Sequence, residues 1–302
     1  MSVSALWSIT KQALAGWWND NVPRLGASLS YYTLFALAPV LIIAIAIAGF
    51  FFGPEAVRGE VVGQIRGLMG EEGARAVQAM LEGAAKPSES RVATVVGLFT
   101  FFLGATGAFL ELQTALNGIW RVKAKEGGKW WKDLVIQRMI SFGLVIAVGF
   151  LLLVSLLVSA ALAALNRYMG SIFPGLTELW TGLNVLVSFG VVTLLFGLIY
   201  RILPDVNLGW RDVWLGAVVT AGLFTIGKSL IGLYLGTSAV GSSYGAAGSV
   251  LVLLIWVYYS AQIVLLGAEF TRAWVEWEGA HPRPMAHAKK DPAPAATGGS
   301  SP

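Results

Sequence analysis

The sequence predicts an all-α integral membrane protein, a bundle of six transmembrane helices with both termini in the cytoplasm. Hydrophobic residues make up 56% of the chain and charged residues only 13%. The charged residues also separate six apolar segments, each long enough to span a membrane. An α-helix rises about 1.5 Å per residue, so roughly 20 apolar residues cross a hydrocarbon core about 30 Å thick. The predicted spans are 28–53, 92–118, 139–165, 179–200, 213–236 and 248–268, within a transmembrane domain of residues 25–272.

Residues 1–24 are predicted to form a cytoplasmic helix that lies in the membrane interface. Apolar residues recur there at roughly helical spacing, namely Val3, Leu6, Trp7, Leu14, Trp17 and Trp18. Trp is favoured at the boundary between headgroups and acyl chains, because its ring is apolar and its N–H is polar. In the first span, Pro39 predicts a kink or a break of the helix.

Residues 54–91 are predicted to form an amphipathic helical loop on the outer face, between the first two spans. Apolar residues repeat there every three or four positions on both sides of the Gly70–Gly73 stretch, which predicts two short helices. We expect them to cover the outer face, and a substrate gate is the second interpretation. From residue 279 onward the chain is rich in Pro, Ala, Gly and Ser, so 279–302 is predicted to be a disordered cytoplasmic tail.

The distribution of Lys and Arg predicts the orientation of the bundle. With six spans, the N-terminus, the loops 119–138 and 201–212 and the C-terminus lie on one side. These four segments carry 14 of the 21 Lys and Arg residues, whereas the other side carries six and Lys228 lies inside a span. Because loops rich in Lys and Arg stay in the cytoplasm, both termini are expected there.

Composition and spacing argue against an enzyme. The chain has no cysteine, and both histidines, His281 and His287, lie in the predicted tail, away from the folded body. Acidic residues in the cytoplasmic loops are isolated, whereas a metal-dependent nuclease needs clustered carboxylates. The basic segment 121–132 is explained by the positive-inside rule. We therefore expect no catalysis, no cofactor, no metal and no nucleic-acid partner.

Glu111 lies inside the second span, ten residues before Arg121 and therefore about 15 Å along a straight helix. A charge at this depth costs at least about 2.5–3.5 kcal/mol, so it normally faces protein or water. The residues on its face of the helix are all small: Gly104, Gly107, Ala108, Thr114, Ala115 and Gly118. Bulky residues fall on another face that suits lipid: Phe101, Phe102, Phe109, Leu112, Leu116 and Trp120.

Two interpretations of Glu111 stay open at this point. A small-residue face lets a neighbouring helix approach closely, so Glu111 could be a buried acid that fixes helix packing. It could equally belong to a pathway for protons, ions or headgroups. Gln113 and Asn117 form a second polar stripe on the same helix and are candidates for that pathway.

Lys228 and Gln262 are the remaining pathway candidates. Lys228 lies about 24 Å from the cytoplasmic end of the fifth span. Its side chain either extends to the outer interface or serves as a counter-charge to Glu111 or a contact for an anionic headgroup. Gln262, in the last span, could join a polar interior. Glu269 and Arg272 stand at i,i+3 near the cytoplasmic boundary, a spacing typical of a surface ion pair.

Four stretches of the chain resemble one family. They are SYYTLFALAP at 30–39, ALNGIW at 115–120, LPDVNLGWRDVWLGA at 203–217, and YGAAGSVLVLLIWVYYSAQIVLLGAEF at 244–270. Together they resemble the BrkB/YihY family of bacterial inner-membrane proteins, once labelled ribonuclease BN, over nearly all of residues 15–275. The resemblance implies six transmembrane helices with both termini inside. It implies no catalytic or binding residues. Members of this family have been labelled virulence factors or ribonucleases, and some have been linked to the movement of lipid precursors or ions.

The sequence supports two classes of function. The first is a multi-pass transporter or lipid flippase of the bacterial inner membrane, with a lipid or ion as substrate. The second is a non-transporting membrane scaffold or an envelope or virulence factor. The ribonuclease label is not favoured, for the reasons given above. Besides the lipid bilayer, the expected partner is a second copy of the chain in a homodimer.

Overall fold

The computed structural model describes residues 3–85, 107–125, 177–237 and 247–291. Within these ranges the chain is helical apart from one short two-stranded sheet. The elements are α1 (Val3–Asn19), α2 (Val22–Phe52), α3 (Pro54–Ala85), α4 (107–119), β1 (Val122–Ala124), α5 (Thr177–Ile202), α6 (Trp210–Thr237), α7 (Gly248–Trp277) and β2 (Ala288–Lys290). α7 is central, since α1, α2, α3 and α6 all pack against it.

Three helices in the described ranges are long and apolar enough to cross a membrane. They contain Val185–Ile202, Trp210–Leu235 and Val250–Trp277, with mean hydropathy of 2.1, 1.6 and 2.1. Between 22% and 33% of the residues in these windows are buried. In the first two windows, exposed apolar side chains such as Leu186, Ile226 and Leu233 form an exterior that suits lipid. These helices coincide with the last three predicted spans.

The first predicted span, 28–53, coincides with α2 up to Phe52, and α2 is helical through Pro39. A break at Pro39 is therefore excluded, whereas a kink there stays a prediction. The helix is continuous over 31 residues, which is long enough to span a membrane. The predicted span 139–165 and most of 92–118 lie outside the described residues. The total of six membrane spans therefore stays a prediction.

One end of the bundle gathers four segments that are far apart in the sequence. The start of α2, the end of α4, the loop 203–209 and the chain after α7 all meet there. β1 pairs antiparallel with β2, and Val206 forms an isolated bridge with Pro284. These are the four segments that the Lys and Arg distribution places on one side of the membrane. The structure thus brings them to a common end, and the cytoplasmic position of that end stays a prediction.

The prediction of a disordered tail from residue 279 is wrong for residues 280–291. This segment crosses the loops 203–209 and 121–125 and is held by backbone hydrogen bonds, including Met285 N to Asp205 O at 2.9 Å and Asn207 N to Arg283 O at 3.0 Å. Lys123 also forms an ion pair with Asp291 at 2.8 Å. Composition alone missed this order, because the ordering contacts come from distant loops. Residues 292–302 lie outside the described ranges.

α3 packs at the opposite end of the bundle, on α2, α6 and α7. Its buried residues Ile65, Met69, Val77 and Leu81 join Ile45 of α2 and Leu253 and Val257 of α7 in one apolar cluster. The helix bends at Gly70, whose φ of 77° lies outside the helical region and favours glycine. Two helical arms therefore meet at Gly70, inside the predicted break.

α6 and α7 cross through two glycines that each accommodate a threonine of the other helix. A Cβ on Gly216 would collide with the Thr271 hydroxyl, and a Cβ on Gly267 would collide with the Thr220 hydroxyl. Thr220 and Thr271 donate to the carbonyls of Gly216 and Gly267, four residues earlier on their own helices, at 2.7 Å. Pairing 216 with 271 and 220 with 267 makes the two helices antiparallel. Close approach at small residues is typical of helix packing in membranes.

Candidate functional site

A buried cluster of charged residues lies at the end of the bundle where the four segments meet. Asp20, at the turn between α1 and α2, accepts from Arg121 through Oδ1 and from Arg272 Nη1 through Oδ2 at 3.1 Å. Arg272 Nη1 also donates to the carbonyl of Ile119 at 2.7 Å, and its Nε donates to Glu276 Oε1 at 3.0 Å. Because the Asp20 side chain is only 5% exposed, the two guanidinium groups compensate a buried carboxylate.

Glu269 is the most buried member of this cluster. Residue Glu269 is 2% exposed, and its Oε2 lies 3.7 Å from Arg272 Nη1. Its Oε1 is buried and makes no hydrogen bond with any described residue. The carboxylate lies directly against Gly16 of α1, where a Cβ would collide with it. Glu269 therefore occupies a space that exists only because α1 carries glycine at that position.

The backbone conformation of two residues positions the segments that carry Asp20 and Arg121. Asn21 and Arg121 are the non-glycine residues with positive φ in the described ranges, at 52° and 54°. Asn21 turns the chain sharply between α1 and α2, which places Asp20 at the cluster. Arg121 ends α4 and begins the approach to β1. A left-handed conformation costs about 1–2 kcal/mol for a residue such as Arg, and the ion pair with Asp20 helps to hold it.

The cluster overturns the prediction that Glu269 and Arg272 form a surface pair. Spacing of i,i+3 correctly predicts that the two side chains are neighbours. It cannot show that α1 covers them, because α1 lies more than 240 residues away in the sequence. The one feature of the sequence that points to a buried Glu269 is its position at the end of a long apolar span, because acidic residues in such spans usually have a function.

Asp205 forms a second buried polar centre at the same end of the bundle. Gln113 Nε2 lies 3.1 Å from its Oδ1, and Asn117 Nδ2 lies 2.8 Å from its Oδ2. The Asp205 N–H donates back to Asn117 Oδ1 at 2.8 Å, and His287 Nε2 lies 3.0 Å from Asp205 Oδ1. Asp205 is 5% exposed, so these contacts satisfy a carboxylate that is removed from water.

This centre changes the interpretation of three residues. Gln113 and Asn117, predicted as a pathway stripe, instead bind the loop that follows α5. His287, predicted to lie in a disordered tail, is part of the folded body and contacts a carboxylate. The argument that the body contains no imidazole is therefore wrong for His287. Among the described residues, no group of three His, Cys, Asp or Glu side chains is arranged to hold a metal ion.

Gln262 joins the polar interior as predicted, because its side chain links α7 to the first two helices. Trp17 Nε1 donates to Gln262 Oε1 at 3.1 Å. Gln262 Nε2 also lies against Gly26 of α2, where a Cβ would collide with it. Gln262 is seven residues, about two helical turns, before Glu269 on the same helix.

Glu111 and Lys228 are both partly buried, and within the described ranges no ion pair joins them. The face of Glu111 packs closely at Gly107, where a Cβ would lie 3.1 Å from Tyr32 Cδ1 of α2. Further along, Thr114 and Gly118 are exposed. The small-residue face is thus covered only in part of the described helix.

The bulky face of the same helix was predicted to face lipid, and for Leu116 this is wrong. Leu116 is fully buried in a core cluster with Tyr200, Leu203, Val206 and Leu208. The loop after α5 folds onto this face, because Gln113 and Asn117 hold Asp205 beside it. A helical wheel separates bulky from small faces but does not show which face a distant loop covers.

Comparison with known proteins gives one family. The family model described as "Virulence factor BrkB" matches residues 13–292. A UPF0761 membrane protein of Tolumonas auensis is 28% identical over 276 residues, covering 86% of this chain and 83% of that protein. Others from Ralstonia nicotianae and Verminephrobacter eiseniae are 26% and 31% identical, covering 88% of this chain in each case. The chain spans only 58% and 62% of the length of these last two. No solved structure matches.

Proposed function

This chain belongs to the BrkB virulence-factor family of membrane proteins, and we propose that it is a transporter or lipid flippase in which Glu269 binds the coupling cation or proton. The observation that carries the proposal is the buried Glu269 carboxylate, whose Oε1 has no partner among the described residues. Ionisable groups in membrane-spanning helices are costly and mark the pathways of ions and substrates.

The charges around Glu269 support a role in cation binding. Asp20, Glu269 and Glu276 carry three negative charges when ionised, and Arg121 and Arg272 carry two positive charges. Both arginines contact Asp20, and Arg272 also binds Glu276, so Glu269 is left with one distant ion-pair contact. A proton or a small cation at Glu269 would balance the described cluster and satisfy its buried oxygen.

Reconstituted protein tests this proposal directly. Proteoliposomes would be assayed in parallel for proton flux, for Na⁺ and K⁺ flux, and for movement of a labelled phospholipid between leaflets. We expect Glu269→Gln to lower the active flux by at least about tenfold, because the amide cannot exchange a proton or hold a cation through a charge. The protein should stay folded, since an amide fills nearly the same volume.

Glu278→Gln is the matched control. Glu278 caps the same helix, is exposed, and makes no described side-chain contact, so its variant should transport like the wild type. Normal flux in folded Glu269→Gln protein would remove Glu269 from the mechanism. Absence of every measured flux in the wild type would favour the alternative function.

That alternative is a non-transporting membrane scaffold or an envelope factor related to virulence. It is favoured by the contacts that join the four segments at one end of the bundle. These contacts come from residues 280–291 and from the cluster of charged residues around Asp20 and Glu269, here called the ion cluster, and they would make that end rigid. Under this function Glu269→Gln would change only stability. The flux measurements and a melting curve on the same variant therefore separate the two functions.

We further propose that the protein lies in the bacterial inner membrane, spans it six times and keeps both termini in the cytoplasm. The Lys and Arg distribution supports this orientation. We also propose that it is not a ribonuclease or another enzyme, although the contact of His287 with Asp205 removes one argument for this. RNA degradation by purified protein that is lost in Asp205→Ala would overturn that proposal. A homodimer stays a prediction, to be checked by light scattering.

A further inference from the structure

The two arms of α3 enclose a groove at the end of the bundle opposite the ion cluster. Its volume is about 340 Å³, which is within the range of small-molecule sites, roughly 300–1,000 Å³. Its lining includes charged residues of both signs and apolar residues. These are Glu55, Arg58, Arg66, Glu82, Val62 and Leu81.

The opposite charges in the groove do not neutralise one another. Arg58 is partly buried and Glu55 is exposed. Neither forms an ion pair or a hydrogen bond with another residue of the described ranges. Arg66 Nε forms an ion pair with Glu71 Oε2 at 2.6 Å. Glu71 does not line the groove. Glu82 accepts a hydrogen bond from the neutral Gln78 at 2.9 Å. The groove therefore presents cationic donors and carboxylate acceptors that can both engage a ligand.

We propose that this groove binds a zwitterion that carries a phosphate ester and an ammonium group, as in a phosphoethanolamine headgroup. Arg58 and Arg66 bind the phosphate, because guanidinium N–H groups make charge-assisted hydrogen bonds to its oxygens. Glu55 and Glu82 bind the ammonium group. Val62, which is only partly buried, contacts the apolar part next to the headgroup. Binding does not require that the protein transports anything, so this site stands apart from the proposed function.

Calorimetric titration of the purified full-length protein in detergent tests the site. The probes are dihexanoyl-phosphatidylethanolamine, dihexanoyl-phosphatidylglycerol and the water-soluble glycerophosphoethanolamine. We expect saturable binding of the zwitterionic lipid and at least about tenfold weaker binding of the phosphatidylglycerol, which lacks the ammonium group. Weaker binding of glycerophosphoethanolamine than of the lipid assigns the site to membrane lipid. Equal binding assigns it to a soluble zwitterion.

Variants identify the residues that bind each charge. Arg58→Ala should weaken binding of both lipids, whereas Glu55→Gln should weaken only the zwitterionic lipid, each by about tenfold. Glu60→Gln is the control, because Glu60 lies on the same arm outside the groove and bonds to Gln64. Glu269→Gln should bind like the wild type, so failure of transport and failure of this site are distinguishable.

Three results would overturn the site. They are equal affinity for the two lipids, no saturable binding of either zwitterion, and unchanged binding in both Arg58→Ala and Glu55→Gln. Melting curves of the variants, recorded alongside the titrations, confirm that a loss of binding occurs in folded protein.

Discussion

Asp205, Glu269 and Asp20 are acidic residues that the fold removes from water at one end of the bundle. Asp205 is compensated by two amides and an imidazole, and Asp20 by two guanidinium groups. Glu269 has a distant arginine, the neighbouring carboxyl group of Asp20, and an oxygen without a hydrogen-bond partner among the described residues. At the scale of the residue, Glu269 therefore differs from the other two acids in having an oxygen whose hydrogen-bond capacity is not filled by the described residues, and this difference is the basis of its proposed role.

The pair of Asn117 and Asp205 allows a sharp test of this distinction. In Asn117→Asp, the donor that lies 2.8 Å from Asp205 Oδ2 becomes a carboxylate oxygen. We expect a loss of about 2–4 kcal/mol of unfolding free energy at neutral pH, because two like charges would face each other in a buried site. Thermal unfolding of the purified protein, followed by tryptophan fluorescence, measures the loss.

The matched variant is Asn207→Asp, in the same loop but exposed, where the side chain makes one long hydrogen bond of 3.3 Å to the carbonyl of Arg283. Because only this exposed bond is lost, it should unfold within about 1 kcal/mol of the wild type. Equal melting temperatures for Asn117→Asp and the wild type would mean that the Asp205 centre does not hold the loop in place.

At the scale of the element, the antiparallel crossing of α6 and α7 depends on two G-x-x-x-T segments. Gly216 and Thr220 on one helix face Thr271 and Gly267 on the other. The Tyr200 hydroxyl of α5 donates to the carbonyl of Val264 at 2.7 Å, and its oxygen lies 2.9 Å from the Thr220 hydroxyl oxygen. Three consecutive span-length helices are thus fixed to one another at a single level of the bundle.

Gly216→Ala tests the crossing. The new Cβ would lie 2.9 Å from Thr271 Cβ and 3.2 Å from its backbone Cα, so the helices themselves must separate. We expect about 1–3 kcal/mol of destabilisation, the usual cost of overpacking a close contact. The melting temperature of detergent-purified protein gives the measurement.

Gly222→Ala on the same helix provides the comparison, since a Cβ there meets no atom within 4 Å. That change should be neutral or slightly stabilising, because Ala has a higher helix propensity than Gly. A Gly216→Ala protein as stable as Gly222→Ala would show that the crossing is looser than described.

At the scale of the whole molecule, the two ends of the bundle are held together by different contacts. One end joins four distant segments through the ion cluster, the Asp205 centre and the small sheet. The other end is covered by the two arms of α3 and the groove between them. If the first end is cytoplasmic, the groove faces the opposite side of the membrane.

Cysteine labelling measures this orientation without background, because the chain contains no cysteine. Glu278→Cys and Ala79→Cys place single thiols at exposed positions of the two ends. In intact cells we expect a thiol reagent that cannot cross the inner membrane to label Ala79→Cys but not Glu278→Cys. After permeabilisation both should react. Labelling of Glu278→Cys in intact cells would reverse the predicted orientation.

The sequence by itself determined the helical class, the membrane location, the last three span-length helices and the family. The first three follow from the length and apolar composition of the segments, which are local properties that any fold of this chain must satisfy in lipid. The family follows from the resemblance of four stretches of the sequence to one family. It also suggested that Gln262 could join a polar interior, and Gln262 contacts Trp17 and Val22 there; its part in a pathway stays a prediction. Tertiary structure alone decided that Glu269 is buried beneath Gly16, that Gln113 and Asn117 bind Asp205, and that residues 280–291 are ordered. Each of these depends on contacts between segments more than 70 residues apart, and neither periodicity nor composition encodes which segments meet.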